Sequence, residues 1–153
     1  MESLIRRHQL APHPEGGFYR ETYRAAHSVG TPARSACTAI IYLLGASDFS
    51  ALHRIDADEL WHFYRGDPLC IVELQPGGPA KQTLLSHENP QHVVPRGTWF
   101  GSMPAEGSAY SLVGCTVAPG FEFSAFEIGT RAELHTEFPH ALGLIDRLTR
   151  VAR

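Results

Sequence analysis

The sequence predicts an all-β fold, a sandwich or a barrel, with short helices at both ends of the chain. Apolar or alternating runs of strand length recur along it, separated by turn signals about every 8–12 residues, a spacing typical of such folds. Glycine (14 residues) and proline (11 residues) are frequent, which favours many turns. The 153 residues are 43% hydrophobic, enough for one domain with a substantial core. We therefore expect residues 1–153 to form a single domain.

The N-terminal segment predicts a helix, a turn and an edge strand, in that order. The first ten residues favour a short helix, which Pro12 and Pro14 end. Residues 13–17, HPEGG, are interpreted as a turn rather than a binding loop. Residues 18–24 alternate bulky and charged side chains, which is typical of a strand at an edge or interface. Because such an edge needs a partner, we expect a homodimer formed through this strand. Residues 25–34 are predicted to form a loop.

The middle of the chain carries the strongest strand patterns. Residues 38–44 form a nearly continuous apolar run, as expected for a strand buried on both faces. Further strands are predicted at residues 60–64, 69–74, 83–85, 92–94, 110–117, 121–123 and 126–128. Clusters of glycine and proline end several of them. Near the C-terminus, Leu142, Ile145 and Leu148 recur at a spacing that predicts a helix.

Charge and composition exclude several classes of function. Thirteen basic and sixteen acidic residues give a formal net charge of −3, so we expect no generic binding to nucleic acid or to anionic membranes. No apolar run is long enough to span a membrane, and the N-terminus lacks the apolar core of a signal peptide. The cysteines Cys37, Cys70 and Cys115 are far apart and are predicted to be reduced, buried side chains. These features favour a cytoplasmic protein.

One segment concentrates polar side chains directly before an aromatic strand. Its titratable residues are His53, Asp56, Asp58, Glu59 and His62. If Glu59 opens the strand, alternation places Glu59, Trp61 and Phe63 on one face and His62 and Tyr64 on the other. A carboxylate that shares a face with two large aromatic rings is costly unless it has a partner. The pattern therefore predicts a ligand cavity or a metal ion beside Glu59.

The same segment resembles the cupin superfamily. His53, Glu59 and Gly66, followed by Pro95-Arg96-Gly97, are similar to its two sequence motifs. The strings HPEGGFYRETYR, HRIDADELWHFYRGDPL, VVPRGTWFG and SLVGCTVAPGFEF resemble more closely a cupin-like family of about this length, over roughly residues 4–145. The resemblance implies a double-stranded β-helix, which is a small antiparallel jelly-roll barrel, and a homodimer.

The resemblance leaves the metal site incomplete. The positions two before and two after His53 are not histidine, and the histidine of the second cupin motif falls on Phe100. The remaining metal ligands are His53, Glu59 and His62, with His62 predicted on the opposite face from Glu59. A transition-metal site normally has at least three well-placed protein ligands. We therefore favour a site without a cofactor and keep a divalent metal as the alternative.

The resemblance also implies a chemistry for a site without metal. Metal-free cupins include epimerases, in which a histidine backed by a carboxylate removes a proton beside a carbonyl and a tyrosine returns one. The candidate catalytic residues on this pattern are His53 as base, Glu59 or Glu127 as its partner, and Tyr42 or Tyr64 as acid. The candidate substrate-binding residues are Arg20, Trp61, Trp99, Phe100 and Phe123.

These observations predict a protein that binds a small polar molecule, sugar-like or carbonyl-bearing, inside the barrel. A metal-independent isomerase or epimerase is the enzymatic form of this prediction. Two alternatives remain open from the sequence. One is a metal-dependent cupin enzyme such as an oxygenase, and the other is a non-catalytic module that binds a small molecule.

Overall fold

A computed structural model describes residues 1–150 as two large antiparallel β-sheets with helices near both ends of the chain. The predicted all-β fold with terminal helices is confirmed. The last three positions of the predicted domain lie outside the described residues. No helix in residues 1–150 is long and apolar enough to cross a membrane.

The helices are short and lie outside the sheets. They are α1 (Glu2–His8), α2 (Arg131–Glu137) and α3 (Leu142–Arg147), with one turn of 3-10 helix at Phe123–Ala125. Gln9 follows the last residue of helix α1 and caps it. Its φ of 54° is the left-handed conformation common at helix C-termini. The hydroxyl of Thr130 caps α2 by accepting a hydrogen bond from the Glu133 amide.

Thirteen strands, several of them only two residues long, are assigned within the described residues. They are β1 (Ala11–Pro12), β2 (Phe18–Arg24), β3 (Ser28–Val29), β4 (Arg34–Ser35), β5 (Thr38–Gly45), β6 (Ser50–Arg54), β7 (Asp58–Gly66), β8 (Leu69–Glu73), β9 (Lys81–Leu85), β10 (Gln91–Val94), β11 (Phe100–Pro104), β12 (Tyr110–Ala118) and β13 (Glu127–Ile128). One sheet has the order β1-β2-β5-β12-β7-β10 and the other β13-β6-β11-β8-β9, while β3 and β4 form a separate ribbon.

Three segments differ from the sequence-based expectation. Residues 121–123, predicted as a strand, belong to no strand, and Phe123 begins the 3-10 turn. The loop predicted at residues 25–34 contains β3 and reaches β4. His53 lies in strand β6, in a stretch whose polar residues had not predicted a strand. Residues 50–53 are all buried; His53 and Ser50 pair with β11, while the amides of Ala51 and Leu52 donate to the carbonyls of Glu15 and Leu148. Hydrophobic alternation is therefore a weak signal for this strand.

The barrel interior is filled by an apolar core over much of its length. The buried residues of this core are Tyr42, Leu44, Trp61, Leu69, Ile71, Leu85, Val94, Phe100, Val113 and Cys115. The indole of Trp61 lies edge-on to the rings of Tyr42 and Phe100, with centroids 6.0 and 6.2 Å away. The alternation predicted in β7 is confirmed, because Glu59 and Trp61 are buried while Tyr64 is 53% exposed on the other face.

Candidate active site

A cavity of about 410 Å³ lies within the described part of the chain, lined by interior side chains of the large sheets and by two loops. His53 on β6, Glu59 on β7 and Cys115 on β12 come together here, and we call these three residues the floor. All three are less than 9% exposed, at 3%, 7% and 2% respectively. The cavity therefore combines buried titratable groups with space for a small molecule.

The turn at residues 13–17 brings a further carboxylate, that of Glu15, to the cavity. Gly16 and Gly17 have φ angles of 118° and 70°, which glycine adopts readily and other residues rarely do. The Gly17 amide donates to the Asp48 carboxylate at 2.7 Å, and the Ala51 amide donates to the Glu15 carbonyl at 2.8 Å. These bonds fix the turn against the start of β6. The side chain of Glu15 is thereby buried beside His53.

His53 and Glu15 form a buried acid–base pair. The Nδ1 atom of His53 is 2.7 Å from the Ala51 carbonyl oxygen, which can only accept, so Nδ1 carries a hydrogen. The Nε2 atom is 3.2 Å from Oε2 of Glu15, and both side chains are less than 9% exposed. A proton on either partner completes this contact, as imidazolium with carboxylate or as imidazole with carboxylic acid. The pair therefore places an acid and a base side by side at the cavity.

His13 supports this pair as a neutral imidazole. Its Nδ1 atom accepts a hydrogen bond from the Glu15 amide at 3.3 Å. The approach of the same nitrogen to Oε2 of Glu15, at 3.7 Å, is therefore not an ion pair. Burial lowers the pKa of His13, and the nearby His53 lowers it further, while the charge of Glu15 opposes both effects.

Glu59 is buried with few partners. Burial raises its pKa to about 8, with a further contribution from the charge of Glu15, and a hydrogen bond with the Cys115 thiol opposes the rise. Burial also raises the pKa of Cys115 well above its usual value, as do the carboxylates of Glu59 and Glu15. At pH 7 the carboxyl group of Glu59 and the thiol of Cys115 are therefore mainly uncharged. The acceptor positions of Glu59 that the thiol leaves unused are available to a ligand.

The mouth of the cavity is aromatic, and an arginine organises it. Phe121, Phe123 and Phe126 line this side, with Phe123 52% exposed. The guanidinium of Arg24 binds the carboxylate of Glu122 and the carbonyl of Phe121 at 2.9 and 3.0 Å. It also binds the carboxylate of Glu21 through two contacts of 2.9 Å. The charges of Arg24, Glu21 and Glu122 are therefore already paired with one another.

Several residues predicted from the sequence lie at this cavity. His53, Glu59, Arg20 and Phe123 are among its lining residues. Phe100 lies behind the floor, with its ring centroid 4.2 Å from that of His53. Trp61 is 1% exposed in the core. Phe100 and Trp61 therefore belong to the core that supports the floor, and neither lines the cavity.

The predicted tyrosines do not reach the cavity. Tyr42 is completely buried, and its hydroxyl donates to the Gly16 carbonyl at 2.8 Å. Burial raises the pKa of Tyr42 well above its usual value, with a further contribution from the charge of Glu15. Tyr64 lies on the outer face of the sheet, stacked 6.5 Å from His62. The tyrosine that lines the cavity is instead Tyr19 on β2.

Neither carboxylate predicted to orient His53, Glu59 or Glu127, forms an ion pair with it within residues 1–150. Glu127 pairs with Arg54 across strands β13 and β6, and its carboxylate contacts the Arg54 guanidinium at 2.7 Å on the surface. This register directs Glu127 away from the inward-facing His53, whose partner is Glu15. Trp99 was predicted to bind substrate. Its ring instead packs beneath the guanidinium of Arg54, with Cζ of Arg54 4.6 Å from the ring centroid of Trp99.

The predicted metal ligands do not form a metal centre. The ring nitrogens of His62 contact Thr116 at 3.0 Å and Gln91 at 3.1 Å, on the face opposite Glu59. Phe100, at the position of the cupin histidine, presents an apolar ring to His53. Within residues 1–150, no three His, Cys, Asp or Glu side chains are placed to hold one metal ion. The side chains thus do not fit a metal held by three protein ligands.

Comparison with known proteins gives a family and two similar structures. A family model described as "Cupin superfamily (DUF985)" matches residues 2–129. A hypothetical protein from Leishmania major is 35% identical, with a TM-score of 0.91 and 98% of each chain covered. A protein from Shewanella oneidensis is also 35% identical, with a TM-score of 0.91, covering 99% of this chain and 98% of the other. No curated protein matches this chain.

Oxalate decarboxylases share the fold at low sequence identity. The Bacillus subtilis enzyme at pH 4.6 is 13% identical, with a TM-score of 0.58, covering 90% of this chain and 36% of the other. A formate complex of the Lactobacillus farciminis enzyme is 11% identical, with a TM-score of 0.60, covering 93% and 42%. Another similar structure of the Bacillus subtilis enzyme concerns the Mn(II) centers of that enzyme. At this identity the likeness concerns the fold.

Proposed function

We propose that this chain, which belongs to the cupin superfamily through the DUF985 family, binds a small carbonyl-bearing molecule and transfers a proton beside the carbonyl. Its family and fold are those of small-molecule-binding cupins. The observation that carries the proposal is the buried contact between His53 Nε2 and Glu15 Oε2 at 3.2 Å. An acid–base couple beside a cavity suits isomerase or epimerase chemistry.

The proposed reaction needs no oxidant or reductant. The base form of the His53–Glu15 pair takes a proton from the carbon next to the carbonyl, and the electron pair of that C–H bond forms an enediolate. Return of the proton to the same carbon gives an epimer. Its transfer to the former carbonyl carbon gives an isomer, and in that case the hydroxyl proton on the first carbon moves to the former carbonyl oxygen, so that the first carbon becomes the carbonyl. Positioned acid–base groups of this kind contribute about 10²–10⁴-fold to a rate.

Two further cavity residues have roles in this proposal. Glu59 binds a polar group of the ligand, since it lines the cavity at 7% exposure and no cationic side chain within residues 1–150 forms an ion pair with it. Tyr19 lines the cavity and lies 4.4 Å from the His13 ring, centroid to centroid. It therefore takes the place of Tyr42 and Tyr64 as the tyrosine available to donate a proton. The site supports this reaction better than an oxygenase, because the described side chains do not converge on a metal position.

The predicted homodimer and cytoplasmic location remain proposals. What supports the dimer is the edge of β2. Strand β1 pairs only with Phe18 and Tyr19, so the rest of this edge pairs with no other strand of the described residues. An unpaired strand edge favours association with a second chain.

Deuterium exchange tests the proposed reaction. A panel of aldoses, ketoses and amino sugars is incubated with the protein in D₂O. For at least one of these sugars, wild-type protein is expected to replace the carbon-bound hydrogen beside the carbonyl with deuterium, which is measured as loss of the ¹H NMR signal. His53→Asn and Glu15→Gln are each expected to slow the exchange about 100-fold, because either change breaks the acid–base couple. Arg54→Ala, at a surface residue, is the matched control and should retain the wild-type rate.

The opposite result would separate the hypotheses. Exchange by wild type and His53→Asn at equal rates would contradict the role of the couple. Binding of one of these sugars without any deuterium exchange would favour the alternative of a non-catalytic binding module.

A further inference from the structure

We propose that the ligand of the cavity carries a protonated amine and that the carboxylate of Glu59 binds this amine on the floor. This inference rests on the proposed function, because it names the chemical class of the molecule bound at that site. It is argued from the partners that the titratable groups of the cavity already have.

Glu59 is a buried acid whose hydrogen-bonding capacity is largely unused. It is 7% exposed and lines the cavity beside the thiol of Cys115. A carboxylate has two oxygens and about four acceptor positions, and a thiol is a weak donor. A buried carboxylate without strong donors is costly. An ammonium group of the ligand would supply three donors and the opposite charge, and it would thereby favour the ionised form of Glu59 over the protonated form present without ligand.

The other acids at the cavity already have strong partners. Glu15 contacts His53 at 3.2 Å. Glu21 and Glu122 are each 2.9 Å from the guanidinium of Arg24. Glu59 is therefore the acid of the cavity for which the protein supplies no cationic partner within the described residues.

The same arrangement disfavours an anionic ligand at the floor. A carboxylate or phosphate there would lie beside the buried Glu15 and Glu59 and would disfavour their ionised forms, and the floor contains no arginine or lysine to offset this. The cation at the mouth, Arg24, is engaged by two acids. Arg20 also borders the cavity, but it pairs across the sheet with Ile41 of the outer face, and its Nη1 bonds to Gln9 at 3.4 Å.

The remaining lining suits an organic cation. Tyr19, Phe121, Phe123 and Phe126 place aromatic rings along one side of the cavity. Aromatic faces attract cations, and they also bury the carbon skeleton of an amine. The floor and these walls together fit a molecule with an ammonium group at one end and apolar or hydroxylated carbons at the other.

Matched triplets of small probes test this inference. The probes are ethanolamine, ethylene glycol and glycolate; glucosamine, glucose and glucuronate; and benzylamine, benzyl alcohol and benzoate. Binding at pH 8 is followed by NMR through the methyl groups of Ile40 and Val117, which line the cavity. In at least one triplet the amine is expected to bind about tenfold more tightly than its alcohol and its carboxylate.

Variants assign the preference to Glu59. Glu59→Gln removes the negative charge and keeps a similar shape, so the preference for the amine should fall to within twofold while the alcohol binds as before. Glu106→Gln removes the charge of an exposed loop residue and should leave the preference intact.

Three results would overturn the inference. They are equal or tighter binding of the alcohol or carboxylate in every triplet, a preference that survives in Glu59→Gln, and no methyl shift with any amine. The proposed function is judged separately. Alcohols or carboxylates that move the methyl groups, or deuterium exchange on a neutral substrate, would leave it standing without the amine.

Discussion

Glu59→Gln is expected to gain stability over wild type as the pH rises, by about 5 kcal/mol between pH 4 and pH 9. The pKa of Glu59 is about 8 in the folded protein and 4.5 in the unfolded chain. Between these values the unfolded chain has released this proton and the folded protein still holds it. Wild-type stability from this group is therefore complete below pH 4.5 and is lost as the pH rises through 8. Glutamine does not ionise and is free of this loss.

Urea denaturation at pH 4, 7 and 9 measures the difference. The titratable groups around Glu59 are Glu15 and His13 from the loop, His53 from β6 and Cys115 from β12. Both proteins contain them, so their contributions largely cancel. Glu106→Gln, at an exposed residue, is the control and should show no comparable trend. A Glu59→Gln curve parallel to that of wild type would contradict the uncompensated burial of this acid.

The second large effect is expected at the pair of His53 and Glu15. Their contact, at 3.2 Å, joins side chains that are 3% and 8% exposed. Removing one partner leaves the other buried without its bond, which costs about 3 kcal/mol in comparable pairs. A double-mutant cycle with Glu15→Ala and His53→Ala should therefore give a coupling energy of about 2 kcal/mol.

An ion pair on the surface of the protein provides the control. Arg54 and Glu127 are 2.7 Å apart with side chains 41% and 55% exposed. Their coupling energy in the same kind of cycle should be below about 1 kcal/mol and should fall with added salt. If the coupling between His53 and Glu15 is as small as this, the pair does not act as a desolvated acid–base couple.

Local patterns in the sequence predicted much of the fold and part of the site. The alternation of Glu59, Trp61 and Phe63 identified the inner face of β7, because the side-chain period of a strand is two. It also placed His62 and Tyr64 on the outer face, where they are found. The cost of a carboxylate beside aromatic rings correctly indicated a cavity at Glu59.

The partner of His53 could not be predicted in the same way. Glu15 precedes two glycines with positive φ, and the turn they form directs its side chain into the barrel. Turn-forming residues predict a change of direction but not which side chain becomes buried. All three cysteines were predicted as buried apolar residues; the burial of Cys115 is observed, whereas Cys37 and Cys70 are only half-buried. The place of Cys115 beside Glu59 depends on the pairing of β12 with β7, which involves residues far apart in sequence.

NMR mapping with the aldose, ketose and amine probes tests directly whether the barrel cavity is the binding site. The largest amide shifts are expected at His53, Glu59 and Cys115 on the floor, and they should be lost when Ile40→Trp fills the cavity. A second cavity, of about 290 Å³ and bordered by Arg7, Arg65 and Tyr110, provides an internal comparison. Largest shifts around that second cavity, or floor amides that no probe moves, would contradict binding at the barrel cavity.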